Sequence, residues 1–133
     1  KLIKNWFERW EEMLGDSITE TVDILNQLLK KPNFRIVALT NWSAETFPVA
    51  LDRFEFLHRF EGIVVSGIEK TRKPFPDIYQ LTLDRFDFKA EESLFIDDNL
   101  RNVLAAKDMG IHTIHFKNPK DLRLNLEANA IKI

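Results

Sequence analysis

The sequence predicts an α/β domain in three layers, with a parallel β-sheet between two layers of helices. Short apolar runs typical of strands alternate four times with longer stretches of helical spacing. The strand-like runs are apolar at consecutive positions, as a parallel sheet covered on both faces requires. Successive βαβ units with right-handed crossovers are therefore expected.

The elements follow from apolar spacing and from the turn residues between them. Two helices are predicted first, at residues 2–14 and 19–30, and both have one apolar face. Strands are predicted at residues 34–40, 62–66, 93–97 and 112–116. A helix is predicted after each strand, at residues 44–54, 77–86, 100–109 and 120–130.

Composition narrows the possible partners. The net charge is −2 with both signs interspersed, so neither nucleic acid nor an acidic membrane surface is an expected partner. The absence of cysteine excludes disulfides and thiolate catalysis, and the cytoplasm is the expected compartment. No apolar run approaches the roughly 18 residues of a membrane span. The sequence carries no signal for an oligomeric state.

Two adjacent carboxylates, Asp97 and Asp98, lie at the end of the third predicted strand. Ligands of open parallel sheets bind beyond the carboxyl ends of the strands, so these ends are the places to search for chemistry. Neighbouring carboxylates repel each other unless a cation compensates them, and Mg²⁺ would do so. Asn102 lies near enough to hold a metal-bound water or a carboxylate. The alternative is that one aspartate merely caps the next helix.

Lys73 lies between the second strand and its helix, in the segment Thr71-Arg-Lys-Pro-Phe-Pro. The two prolines stiffen the backbone and could direct this lysine towards a phosphate or towards the carboxylates. The alternative for Lys73 is a solvated side chain, which is also how we interpret Lys70 and Arg72.

Thr40 ends the first predicted strand and is followed by Asn41 and Trp42. Its hydroxyl and the backbone N–H groups after it could donate to phosphate oxygens. A threonine at a strand end is also commonplace. Trp42 either lines a substrate pocket or packs in the core.

The order of these signals is more specific than any one of them. It runs from Thr40-Asn41 to Lys73-Pro-Phe-Pro-Asp-Ile-Tyr, then to Leu-Phe-Ile-Asp97-Asp98-Asn-x-x-Asn102, and then to Ala105-Ala106 and Gly110. This series resembles motifs II, III and IV of the haloacid dehalogenase superfamily, over about residues 18–116. Within that superfamily, the sequence resembles the subgroup that has a helical cap inserted after its first strand. The resemblance implies a Rossmann-like core.

The resemblance also implies roles for these residues. Thr40 and Lys73 would be catalytic, and together with Asn41 and Trp42 they would bind the substrate. Asp98 would be the direct Mg²⁺ ligand, with Asp97 and Asn102 in support.

The sequence departs from the family pattern at the nucleophile. Family members supply an aspartate nucleophile from an Asp-x-Asp motif on the central strand, and these 133 residues contain no such motif. We therefore expect residues 1–17 to be the end of the helical cap and residues 18–133 to be the C-terminal part of the core. The sheet is expected to lack its central strand, between residues 36–40 and 94–97, and the chain alone is expected to be inactive.

The function expected of the parent protein is that of a Mg²⁺-dependent phosphatase. It would act on a small phosphorylated metabolite through an aspartyl-phosphate whose nucleophile lies upstream of this chain. One alternative is a metal-independent 2-haloacid dehalogenase, although in the resemblance such enzymes have neutral residues in place of the acidic pair. A second alternative is a non-catalytic fragment that serves interaction only.

Overall fold

The structure is a computed structural model that describes residues 5–8 and 18–131, with side chains from residue 20 onward except that of Phe56. The strands are β1 Asn5–Glu8, β2 Arg35–Thr40, β3 Gly62–Val65, β4 Ser93–Asp97 and β5 His112–His115. They form a single parallel sheet in the order β3-β2-β1-β4-β5. All carboxyl ends therefore meet at one edge of the sheet.

Helices cover both faces of this sheet. They are α1 Ile18–Leu29, α2 Phe47–Arg53, α3 Ser66–Glu69, α4 Pro76–Phe86, α5 Leu100–Asp108 and α6 Pro119–Ala128. Short 3₁₀ turns occur at Glu55–Arg59 and Ala90–Glu92.

Two apolar cores lie on opposite sides of the sheet because successive strand residues point to opposite faces. Ile36 and Ala38 of β2 belong to a core that includes buried residues of α1, α2 and α6. Val37 and Leu39 of the same strand belong to a core that includes residues of α4 and α5. Residues 36–40 are all buried, so both faces of this strand are covered, as the apolar run at residues 36–39 indicated.

The predicted three-layer α/β fold is confirmed, and β2 to β5 match the predicted strands to within one residue at each end. The helix predicted at residues 44–54 is shorter and covers Phe47–Arg53. Its start is delayed because Ser43 organises a turn: its hydroxyl accepts the N–H of Thr46 and its carbonyl accepts that of Phe47.

The helix predicted at residues 2–14 is wrong at residues 5–8, which form β1 in the centre of the sheet. The gap predicted between β2 and β4 is likewise not present, because β1 pairs with both strands, Phe7 lying opposite Val37 and Phe95. Residues 5–8 form a strand because of their neighbours in the sheet. An empty central position would leave backbone donors and acceptors of β2 and β4 without partners. Their pairing outweighs the local helical spacing. The other residues of 2–14 lie outside the described residues.

Among residues 18–131, no helix has both the length and the apolar character needed to cross a bilayer.

A proline in β1 tests its central position. Phe7→Pro removes a backbone donor from the interior of the sheet, and we expect it to lower the free energy of unfolding by about 1–3 kcal/mol more than Phe7→Val does. Valine keeps the amide and favours strands, so the difference between the two variants isolates the backbone. Urea denaturation measures both. Equal stabilities would show that residue 7 is not in the sheet.

Candidate active site

Lys73 connects the two strands that flank β1. Its ammonium donates to the carbonyl oxygen of Leu39 in β2 at 2.9 Å and to Oδ2 of Asp97 in β4 at 3.1 Å. Leu39 and Asp97 lie one residue beyond Ala38 and Ile96, which are the last partners of β1. The ammonium therefore bridges β2 and β4 just beyond the end of the central strand.

The ion pair of Lys73 and Asp97 is fully buried, since both side chains are 0% exposed. Two charges without water are stable only when each has close partners. Asp97 Oδ1 accepts the backbone N–H of Asn99 at 2.8 Å, and Oδ2 also accepts the amide of Asn102 at 3.1 Å. Burial raises the pKa of the Asp97 carboxyl above its usual range, against the opposing effects of Lys73, Asn99 and Asn102.

Asn41 holds the backbone of Lys73. Its side-chain oxygen accepts the Lys73 N–H at 3.0 Å, and its side-chain amide donates to the Lys73 carbonyl at 3.1 Å. The Lys73–Pro74 peptide bond is cis. Because Asn41 directly follows β2, this reciprocal pair attaches the lysine segment to the end of that strand. Both polar ends of the Asn41 amide are occupied by this contact.

Two buried polar atoms at this edge have no hydrogen-bond partner among the described residues. They are the hydroxyl oxygen of Thr40 and Oδ1 of Asp98. An unsatisfied buried polar atom costs about 1–3 kcal/mol, so native proteins rarely keep one without a reason. A phosphate suits the hydroxyl, and a cation suits the carboxylate oxygen.

The adjacent aspartates thus have different surroundings. Asp97 is saturated by protein donors, whereas Asp98 presents a free carboxylate oxygen. Neither aspartate caps α5: Asn99 is its N-cap and accepts the N–H of Arg101 at 3.0 Å. The capping alternative for these carboxylates is therefore wrong. Asn102 donates its amide to Asp97, which is one of the two contacts that the sequence left open for it.

Trp42 both packs and lines a cleft. Its ring stands edge-on to Phe47 with centroids 6.1 Å apart, and its indole N–H donates to the Thr46 hydroxyl at 2.8 Å. Its backbone N–H donates to the Ser66 hydroxyl at 2.9 Å, and its carbonyl accepts the N–H of Gly67 at 2.9 Å. A Cβ on Gly67 would lie 2.8 Å from that carbonyl oxygen, so only glycine fits there.

Two neighbouring clefts open at this edge. The larger has a volume of about 550 Å³, and the described residues that line it include Trp42, Gly67 and Lys70. The smaller, of about 370 Å³, includes Lys73, Asn102 and Arg101 among its lining residues. Asn41, Arg72 and Phe75 line both clefts, so the two are contiguous. Their size suits a small metabolite.

The structure thus brings together Lys73, Asp97, Asn102 and Asn41, and it places the free atoms of Thr40 and Asp98 at the same sheet edge. Sequence reasoning missed the supporting contacts. Three of the residues that make these contacts lie just after strands β3 and β4, namely Ser66, Gly67 and Asn99. Their place at strand ends was the only feature of the sequence that pointed to them. The Leu39 carbonyl had no signal because any residue type supplies that oxygen. His115 was also missed, and its Nε2 lies 2.9 Å from the Asp98 carbonyl oxygen.

Comparison with known families agrees with this arrangement of residues on successive strand ends. The sequence profile of the haloacid dehalogenase-like hydrolases matches residues 1–116. The chain belongs to this family. The match includes Thr40, Lys73 and the aspartate pair.

Individual relatives are similar to parts of this chain. Acyl-CoA dehydrogenase family member 10 of Mus musculus is 31% identical over 123 residues, which cover 87% of this chain and 11% of that protein. Glyceraldehyde 3-phosphate phosphatase of Pyrococcus furiosus is 36% identical over 76 residues, which cover 56% of this chain and 32% of that enzyme. The chain therefore spans a third or less of the length of either relative.

One solved structure is that of a HAD family enzyme from Bacteroides thetaiotaomicron in complex with magnesium and inorganic phosphate. It superposes with a TM-score of 0.65 at 25% identity and covers 72% of this chain and 52% of that one. The shared fold is a parallel sheet between layers of helices.

Removing the lysine tests the energetics of the buried pair. Lys73→Met leaves a buried carboxylate without its cation, and we expect it to lower the free energy of unfolding by about 3–5 kcal/mol. Adding Asp97→Asn should restore part of this loss, because the double variant no longer buries an unpaired charge. Urea denaturation measures each variant.

The exposed ion pair of Glu55 and Arg59 on one turn of helix offers the control. Glu55→Gln should cost less than about 1 kcal/mol, since exposed pairs contribute little. A similar cost for Lys73→Met and Glu55→Gln would contradict the buried ion pair.

Proposed function

We propose that the protein containing this chain is a Mg²⁺-dependent phosphatase that acts on a small phosphorylated metabolite. The observation that carries the proposal is the pair of buried, unsatisfied atoms, Thr40 Oγ1 and Asp98 Oδ1, at the sheet edge that also holds the Lys73 ammonium. A donor hydroxyl, a free carboxylate oxygen and a buried cation suit a phosphate bound beside a metal ion.

Thr40 and Lys73 are the proposed phosphate-binding groups. The Thr40 hydroxyl has no acceptor among the described residues, so it is available to a phosphate oxygen. The Lys73 ammonium offsets the negative charge that a phosphate adds near Asp97. Asn41, expected from the sequence to bind substrate, uses both ends of its amide on Lys73, and we propose it as a positioning residue. Trp42 is proposed as a wall of the substrate cleft.

Asp98 is the proposed direct ligand of Mg²⁺. The residues present fit this ion, because Mg²⁺ takes one or two carboxylates and completes its shell with water and substrate phosphate. When bound, Mg²⁺ would neutralise charge on the phosphoryl group. Asp97 would support the site by keeping Lys73 and Asn102 in place. The bound magnesium and phosphate of the Bacteroides enzyme support this assignment.

The nucleophile of the proposed reaction is an aspartate that these 133 residues do not contain. In the reaction its carboxylate forms a bond to phosphorus, and the ester oxygen leaves as the alcohol after gaining a proton. Water then cleaves the aspartyl-phosphate and releases inorganic phosphate. The phosphatase relative from Pyrococcus furiosus supports phosphate-ester chemistry.

The central position of the sheet bears directly on this proposal. A strand that carries Asp-x-Asp would reach the site from between β2 and β4, which is where β1 lies. We propose that residues 5–8 give up this position in the catalytic protein and that residues 1–17 then form the end of the cap.

A second candidate function is binding without catalysis. It is favoured by the combination of a filled central position and the absence of Asp-x-Asp from the sequence. Both candidate functions use the same phosphate-binding groups. They differ in whether the protein hydrolyses the phosphate ester that it binds.

Thr40→Val tests the phosphate site in the 133-residue chain. We expect inorganic phosphate to bind about tenfold more weakly, because one donor to an anion is lost. We expect the free energy of unfolding to stay equal or to rise by up to about 1 kcal/mol, because the variant removes an unsatisfied buried hydroxyl. Calorimetric titration and urea denaturation measure the two effects.

Thr82 is the matched control, since it is buried and its hydroxyl donates to the Ile78 carbonyl at 2.7 Å. Thr82→Val should cost about 1 kcal/mol of stability and leave phosphate affinity unchanged. Unchanged phosphate affinity in Thr40→Val would remove Thr40 from the site.

Asp98→Asn tests the metal and the activity in the full-length protein. Wild type should release phosphate from an aryl phosphate only with Mg²⁺, and Mg²⁺ should raise its melting temperature. Asp98→Asn should lose both effects, because the anionic ligand becomes a neutral amide.

Asp52→Asn, an exposed change on α2, is the control and should retain both effects. Full Mg²⁺-dependent activity in Asp98→Asn would overturn the metal assignment. A wild-type protein that binds phosphate but releases none from the aryl phosphate would favour the second candidate.

A further inference from the structure

Cations concentrate around the two clefts of the candidate site. The lining residues include Lys70, Arg72, Lys73 and Arg101, and no aspartate or glutamate is among the lining residues that the structure describes. The chain as a whole has a net charge of −2, so the described lining of the two clefts is more positive than the chain as a whole. A concave surface lined by one sign of charge attracts ligands of the opposite sign.

The two arginines are available to a ligand. Arg72 and Arg101 are both exposed, and neither forms an ion pair with a described carboxylate. The nearby carboxylate of Glu69, on the neighbouring helix α3, is bound instead to Arg85 at 2.7 Å. One phosphate on Thr40 and Lys73 therefore leaves the arginines without an anion.

The Arg72 side chain also packs against an aromatic ring. Its guanidinium lies 5.5 Å from the centre of the Phe75 ring, which is 51% exposed and lines both clefts. An aromatic ring beneath a guanidinium limits where the side chain points and leaves its N–H edge free for an anion. Trp42 lines the larger cleft and Phe75 lines both, so each contributes an aromatic surface to the site.

We propose that the substrate carries a second anionic group, a carboxylate or a second phosphate, on the part that leaves, and that Arg72 and Arg101 bind it. This inference rests on the proposed phosphatase function and adds the substrate class. Arginine suits the role because its fork of N–H donors matches both carboxylate and phosphate.

Binding of three non-hydrolysable probes to the 133-residue chain tests the proposal. Methylphosphonate carries one anionic group, phosphonoacetate adds a carboxylate, and methylenebisphosphonate adds a second phosphonate. Titrations at one free Mg²⁺ concentration remove the effect of metal chelation by the latter two. We expect one or both to bind about tenfold more tightly than methylphosphonate, as an added charge-assisted contact allows. The tighter of the two identifies the second group.

Substitution of the arginines tests whether they cause the tighter binding of probes with a second anionic group. Arg72→Gln and Arg101→Gln should each reduce the preference for the second anionic group to within about threefold. The change in methylphosphonate affinity should be smaller, because neither arginine is assigned to the first phosphate. Lys107→Gln is the control, since Lys107 lies on α5 with Arg101 but in its last turn. The proposal is overturned if all three probes bind equally, or if the preference survives in the double arginine variant.

The two proposals fail in different ways. Loss of methylphosphonate binding in Thr40→Val together with equal affinity for all three probes would retain the phosphate site and reject the second anion. Methylphosphonate binding that Thr40→Val does not change would reject the phosphate site itself.

Discussion

The buried ion pair of Lys73 and Asp97 is the interaction on which the geometry of the site depends. Lys73 lies in a loop, and its ammonium reaches the Leu39 carbonyl of β2 and the carboxylate of β4 together. The position of the loop is therefore set by two strands that do not pair with each other. Asn41 adds a third restraint by bonding the Lys73 backbone on both sides. A charge that would otherwise be costly to bury is held in one place.

The two adjacent aspartates divide two tasks that one residue could not perform. Asp97 has donors on both oxygens and stabilises the fold, so it has little capacity left for a ligand. Asp98 has a buried oxygen without a partner among the described residues, which costs stability. Thr40 shows the same cost at the end of β2. Stability lost at groups that await a partner is typical of functional sites.

Much of the fold could be predicted because the strands β2 to β5 are short apolar runs with turn residues on each side. The order of Thr40, Lys73 and the aspartates along the chain predicted that they share an edge, since parallel strands end together. The supporting contacts were not predictable, because the Leu39 carbonyl and the Asn99 cap depend on backbone geometry. Strand β1 was missed because its local spacing is helical, and only its neighbours make it a strand.

The central position of the sheet is set by its neighbours more than by the segment that fills it. β2 and β4 each present a row of backbone groups, and any extended segment that pairs with both satisfies them. Lys73 lies just beyond the last pairs of that segment, so its buried ammonium stands at the end of the central position. A strand that ended in aspartate would add a carboxylate there and gain a Coulombic contact that helps it compete for the position. The cation that pairs with Asp97 would thereby also favour, at this position, the strand that the proposed phosphatase needs.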